Sequence, residues 1–144
     1  MKFVEIIYGS KLYKEEIGLR DRMLRVPLGL KFSKNDLEAE KDELRYGLLD
    51  RDNKLLTCLL IRKITPETAK LRQMAVEENM QGKGVGKFLV ERVEEELVKQ
   101  RFKKIELHAR MYAKGFYEKL GYEPVGKEFT EVGILHIKME KTIK

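Results

Sequence analysis

The sequence predicts a mixed α/β domain, a central sheet of about six or seven strands flanked by three or four helices. Three observations point there. Short runs rich in β-branched and aromatic residues alternate with stretches whose apolar residues recur at helical spacing. The resulting order is β-α-(α)-β-β-β-α-β-α-β-β. The chain has 144 residues, which fits one domain spanning 1–144 with a core of its own.

The elements follow in sequence. "KFVEIIY" at 2–8 reads as the first strand. "LYKEEIGLRDRML" at 12–24 carries a helical apolar stripe at Leu12, Ile17, Met23 and Leu24, and Pro27 ends it. "GLKFSKNDLEAEKDE" at 29–43 is polar, with a cap at Ser33 and at most a short helix. Strands at about 44–50 and 55–63 flank "DRDNK", which is dense in turn formers, so they pair as a hairpin. "AKLRQMAV" at 69–76 is a strand, followed by a polar loop and the glycine-rich "QGKGVGKF" at 81–88. Val85, Phe88, Leu89, Val93 and Leu97 then recur at helical spacing to about Gln100. "KIELHA" at 104–109 is a strand and "YAKGFYEKL" at 112–120 a short helix. Strands at about 123–129 and 134–141 close the domain.

Composition excludes several classes. Thirty Lys and Arg against 24 Asp and Glu give a formal net charge of +6. Such a balance suits a polyanionic partner, but no stripe interleaves aromatic and basic residues, so nucleic acid is not expected. The single cysteine, Cys58, permits no internal disulfide and lies in the apolar run "LLTCLLI" as a core thiol. No apolar run approaches the roughly 20 residues of a membrane span, and no signal peptide is read at the N-terminus. A cytoplasmic location is the expectation. Metal-ligand spacings are absent from the sequence, and no metal is expected. A homodimer is compatible with the sequence, which leaves the oligomeric state open.

The glycine turn decides the function class. The P-loop pattern needs a glycine at Gln81 and a hydroxyl at Phe88, and the dinucleotide fingerprint needs a glycine at Lys87; both fail. A third pattern, Q/R-x-x-G-x-G/A between a strand and a long helix, is met by Gln81, Gly84 and Gly86. Glycines there let a ligand approach the backbone, and a helix N-terminus offers unpaired N–H groups to a pyrophosphate. A plain loop-to-helix cap is the competing reading of the turn alone. The strand "LRQMAV", the turn, the long helix, the next strand and "ARMYAKGFYEKLGY" together resemble the two core motifs of the GCN5-related N-acetyltransferase (GNAT) superfamily. The resemblance is strongest over 71–122, and the element order extends it to nearly the whole chain.

The resemblance implies a mostly antiparallel mixed sheet and acetyl-CoA as co-substrate. Met74, Ala75 and Val76 would pair through their backbone with the pantetheine arm. Gln81, Gly82, Lys83, Gly84, Val85, Gly86 and Lys87 would hold the pyrophosphate. Tyr117 would be the acid that protonates the departing thiolate; by position alone it reads as a core aromatic on the face of Ala113 and Leu120. "EVGILHIKM" resembles the tail of a subgroup that includes glyphosate N-acetyltransferase, which implies His136 as base. His108 and Glu106, which share a strand face with Arg110, are the alternatives. The same subgroup likeness implies Arg20, Arg72 and Arg110 as ligands for the acidic end of a small amino substrate. Solvated or salt-bridged arginines are the plainer reading of their spacing, and "GLKFSKNDLEAEKDE" departs from the subgroup. The expected activity is acetyl transfer by direct attack of an amine. A protein or peptide acceptor and a non-catalytic CoA-binding module are the alternatives.

Overall fold

A computed structural model describes all 144 residues. Seven strands, β1 (Lys2–Glu5), β2 (Leu44–Leu49), β3 (Leu55–Lys63), β4 (Thr68–Val76), β5 (Lys104–Arg110), β6 (Glu123–Glu131) and β7 (Ile134–Thr142), form one sheet. Its order is β1-β2-β3-β4-β5-β7-β6. Every neighbouring pair is antiparallel except β4 and β5. That parallel pair needs a crossover, which α3 (Val85–Lys99) supplies. The remaining helices are α1 (Lys11–Arg20), α2 (Lys34–Ala39) and α4 (Lys114–Lys119).

The two sheet faces are covered unequally. On one, Val85, Leu89, Val93 and Leu97 of α3 pack with Tyr46, Leu59, Ile61, Leu71, Ile105 and Leu107 in the main core. Each fully buried leucine there contributes about 1.5–3 kcal/mol. On the other, Tyr13 and Leu19 of α1 sit in a smaller core with Ile6, Leu55, Cys58 and Ala75. α1 packs on β3 and β4. In β5 the residues alternate: Ile105, Leu107 and Ala109 are buried in the main core, while Glu106, His108 and Arg110 point the other way and stay partly exposed.

A β-bulge in β4 positions the site. Leu60 pairs with Arg72 and Cys58 with Ala75, so Leu59 alone faces both Gln73 and Met74. Gln73 takes up the extra residue at φ 52. The side chains change faces as a result. Ala69 and Leu71 enter the main core, whereas Ala75, on the same parity, enters the α1 core and Met74 packs against the main one. The parallel pairing to β5 also stops at Leu71–Leu107. Beyond it the two strands separate.

Three sequence expectations are corrected. The helix expected over 12–24 is α1 only as far as Arg20, followed by a π-helical turn Asp21–Arg25 and a 3₁₀ turn Val26–Leu28 at Pro27. Phe88, assigned to the apolar stripe of α3, is 42% exposed; Val90 is buried in its stead. The first strand ends at Glu5, short of Tyr8. The cap at Ser33 is present as a capping box with Asp36.

Candidate active site

The gap between the separated ends of β4 and β5 opens into a cavity of about 860 Å³, the size range of a small-molecule site. One end is made of backbone and the other of charged side chains. Met74, Ala75, Val76, Gln81, Gly82, Gly84, Val85, Gly86 and Lys87 line the first end. Lys83 does not line it.

Gly82 and Gly84 have φ of 74 and 80, and neither would meet an atom within 4 Å if it carried a Cβ. Their backbone is left-handed because the turn demands it, with room kept clear in front. Gly84 is also the N-cap of α3 and offers no side-chain cap. The amides of residues 82–87 donate no backbone hydrogen bond within the protein. Consecutive free N–H groups at a helix N-terminus, with alternating left-handed residues, form a nest suited to an anion. Gly86 works differently. A Cβ there would lie 2.9 Å from Met74 Cε and 3.4 Å from both Phe116 Cζ and Val76 Cγ2, so its absence lets α3 approach β4 and α4.

Tyr117 of α4 and His136 of β7 both line the cavity, and both are buried. The Tyr117 hydroxyl lies 3.5 Å from Met74 Sδ. Burial disfavours its phenolate and pushes its ionisation above the ordinary tyrosine range. His136 Nδ1 is 2.8 Å from the Ile134 carbonyl. A carbonyl only accepts, so Nδ1 carries the hydrogen and the lone pair of the neutral ring sits on Nε2. His108 also lines the cavity; Glu106 does not, and pairs with Lys138 at 3.4 Å.

The three arginines do not converge as expected. Arg20 is fully buried and absent from the cavity wall. Its Nε is 2.5 Å from Glu16 and its Nη1 3.0 Å from Glu40. It points into the smaller core because α1 buries the face on which it lies. Arg72 does line the cavity, but Glu43 holds it at 2.6 Å. Arg62 joins Glu43, and Arg45 approaches Glu16. Arg20, Arg45, Arg62 and Arg72 against Glu16, Glu40 and Glu43 leave one positive charge in excess. Arg110 differs from them. It lines the cavity with no carboxylate within 4 Å, and its contacts are the Leu24 carbonyl and the Tyr112 hydroxyl. It is the direct cross-strand neighbour of His136.

Sequence reasoning missed Lys70, Gln73 and Glu131, which also line the cavity. Lys70 has no ion-pair partner, and partial burial lowers its ionisation from the ordinary lysine value. It lies two residues before Arg72 on the same strand face, a periodicity the sequence did display. Glu131 sits in a hairpin whose register no local pattern fixes.

Residues 33–143 match the family model described as the acetyltransferase (GNAT) domain. The chain belongs to this family. Among curated relatives, this GNAT chain is 37% identical over 81 residues to the Bacillus subtilis protein YyaT, covering 56% of the chain and 55% of the relative. It therefore matches about half the length of that relative. Its fold is that of Escherichia coli ElaA, with a TM-score of 0.82, 22% identity, and 98% and 99% of the two chains covered. It is also that of an aminoglycoside 6'-N-acetyltransferase complexed with coenzyme A, with a TM-score of 0.79, 19% identity, and 100% and 98% covered.

Proposed function

We propose that this GNAT domain transfers the acetyl group of acetyl-CoA to the amine of a small acceptor that carries an anionic group. Three features of the cofactor end fit coenzyme A: the amide nest at 82–87, the cavity-facing strand Met74–Val76 with no β5 partner, and Lys87 at the rim. A CoA-bound neighbour of the same fold supports the assignment. When bound, acetyl-CoA supplies the thioester that the amine attacks.

The chain's own residues would manage two protons. His136 accepts at Nε2 the proton that the acceptor ammonium loses, its ring held by the Nδ1–H bond to Ile134. Tyr117 keeps its phenolic hydrogen because of burial and can give it to the departing thiolate. The buried Cys58, its thiol ionisation pushed far up by burial, lies outside the cavity and takes no part.

One observation carries the acceptor class: the carboxylate-free guanidinium of Arg110 directly across the sheet from His136. A planar guanidinium pairs with carboxylate or phosphonate oxygens and keeps its charge. Likeness to the glyphosate N-acetyltransferase subgroup supports the same class, with Arg72 as a second contact once freed from Glu43. Arg20 is a support for the site and not a contact. The test is thiol release from acetyl-CoA with α-amino acids and with their amide-capped analogues. The anionic acceptors should react faster, and Arg110→Ala should lower their kcat/KM about 10–150-fold while leaving the capped ones alone. Equal rates for anionic and capped acceptors in wild type would end this reading.

A further inference from the structure

The acceptor end holds an arrangement that neither the base nor the arginines explain. Glu131, at the end of β6, reaches across the cavity wall toward two histidines. Its Oε1 is 3.1 Å from His108 Nδ1, and its Oε2 is 3.7 Å from His136 Nε2. The two distances mean different things. At 3.1 Å a carboxylate can only accept, so His108 Nδ1–H donates and fixes the carboxylate in place. At 3.7 Å there is no hydrogen bond in either protonation state. With Nδ1–H committed to Ile134, neutral His136 presents a lone pair to a carboxylate oxygen that presents another. Two acceptors confront each other with no hydrogen between them, and both atoms belong to residues that line the cavity. A group with two hydrogens to donate satisfies both: water when the site is empty, an ammonium when the acceptor is bound.

We propose that Glu131 is the ammonium-binding residue of the acceptor site, holding the substrate's cationic amine against His136 Nε2. This rests on the reading of His136 as the base. An ammonium nitrogen at ordinary hydrogen-bond distance from both atoms fits above a 3.7 Å gap. The amine then arrives with one N–H on Glu131 and one on the base. Proton transfer to Nε2 frees the nitrogen lone pair. The packing keeps this geometry: the Phe129 ring lies edge-on to His108 at 5.0 Å and stacks on His136 at 5.9 Å. The charged groups around Glu131 are Lys70 from β4, His108 and Arg110 from β5, and His136 from β7. Glu131 is thus the one carboxylate placed beside the base, while Arg110 is the base's cross-strand neighbour on β5. The acceptor class becomes a zwitterion, with its ammonium on Glu131 and its anion on Arg110.

The test uses the full chain with α-amino acids and aminophosphonates as acceptors and their des-amino acids as competitive ligands, L-aspartate against succinate being the first pair. The pair that wild type binds best is carried to the variants. Glu131→Gln keeps the shape and removes the charge. It should raise the KM of the amine about 10–150-fold, with kcat at saturating amine changed only a few-fold. Its affinity for the des-amino acid should be equal to or tighter than wild type, and its melting temperature unchanged, since the side chain is 46% exposed. Glu131→Asp should recover part of the loss. An unchanged amine KM in Glu131→Gln overturns the proposal, as does equal weakening of amine and des-amino ligands, or wild type that binds no amine in the panel. His136→Ala separates the two readings: full activity there removes the base assignment, whereas a strong kcat loss beside a silent Glu131→Gln removes only the ammonium site.

Discussion

The two ends of the cavity are built from different materials. The glycine end is backbone: free amides at 82–87, two left-handed glycines, and a strand segment released from its parallel partner by a bulge. The acceptor end is side chains from β4, β5, β6, β7 and the turn after α1, with their charges partly cancelled by carboxylates of the α2 region. Backbone donors cannot be substituted away, so an end built from them suits a ligand that does not vary. Side chains can be exchanged one at a time, so the other end can be retuned for a new acceptor without disturbing the first. The contrast extends to electrostatics. The amides of the nest have no internal competitor, whereas Arg72 is already engaged by Glu43 at 2.6 Å, and an incoming anion must displace that carboxylate.

The sharpest way to break the comparison is at Gly84. Acetyl-CoA should raise the melting temperature of wild type by mass action. Gly84→Asp should abolish that rise, because it sets a negative charge in the nest. Gly84→Ala should lose less of it than Gly84→Asp: its Cβ meets no protein atom within 4 Å and brings no charge, and the left-handed conformation costs about 1–2 kcal/mol. Equal loss in the two variants would mean that the turn merely shapes the loop. Titration by calorimetry reads the same outcome directly.

Tyr117→Phe comes next, since it touches neither end's charge. It should lower kcat about 10²–10⁴-fold with acetyl-CoA affinity retained. Burial disfavours the phenolate, so the tyrosine should remain an acid up to and beyond the ordinary tyrosine value of about 10. Activity should therefore show no loss from this group on the alkaline side until that range is passed. A pH–rate profile with an alkaline limb below it, absent in Tyr117→Phe, would contradict the structure.

Arg20→Ala has the smallest effect on chemistry and tests whether the acceptor end depends on its supports. Removing one partner of a buried ion pair typically costs about 3–5 kcal/mol, here by stranding Glu16 and Glu40. The measurement is chemical denaturation beside steady-state kinetics. A large loss of stability, with the amine KM moved less than in Arg110→Ala, is the expected pattern. A stable protein with a strongly raised KM would return Arg20 to the cavity wall.

The sequence by itself determined the element order, the hairpin of β2 and β3, the capped short helix at Ser33 and the glycine turn ahead of α3. These are local: they follow from turn chemistry, periodicity and a helix N-terminus, all written within a few neighbouring residues. It also supplied His136, Tyr117 and Arg110 as cavity residues, through likeness to a family rather than through any local rule. Tertiary structure alone decided three things. The bulge at Gln73 reversed which side of β4 faces the main core, because a strand's faces are counted from its partner's register and β3 lies elsewhere in the sequence. The burial of Arg20 depended on carboxylates four and twenty residues away, one of them just past the end of α2. The meeting of Glu131 with His108 and His136 required β5, β7 and β6 to lie side by side in an order the chain does not follow. Charges find partners through space, and the sequence gives their types without giving their distances.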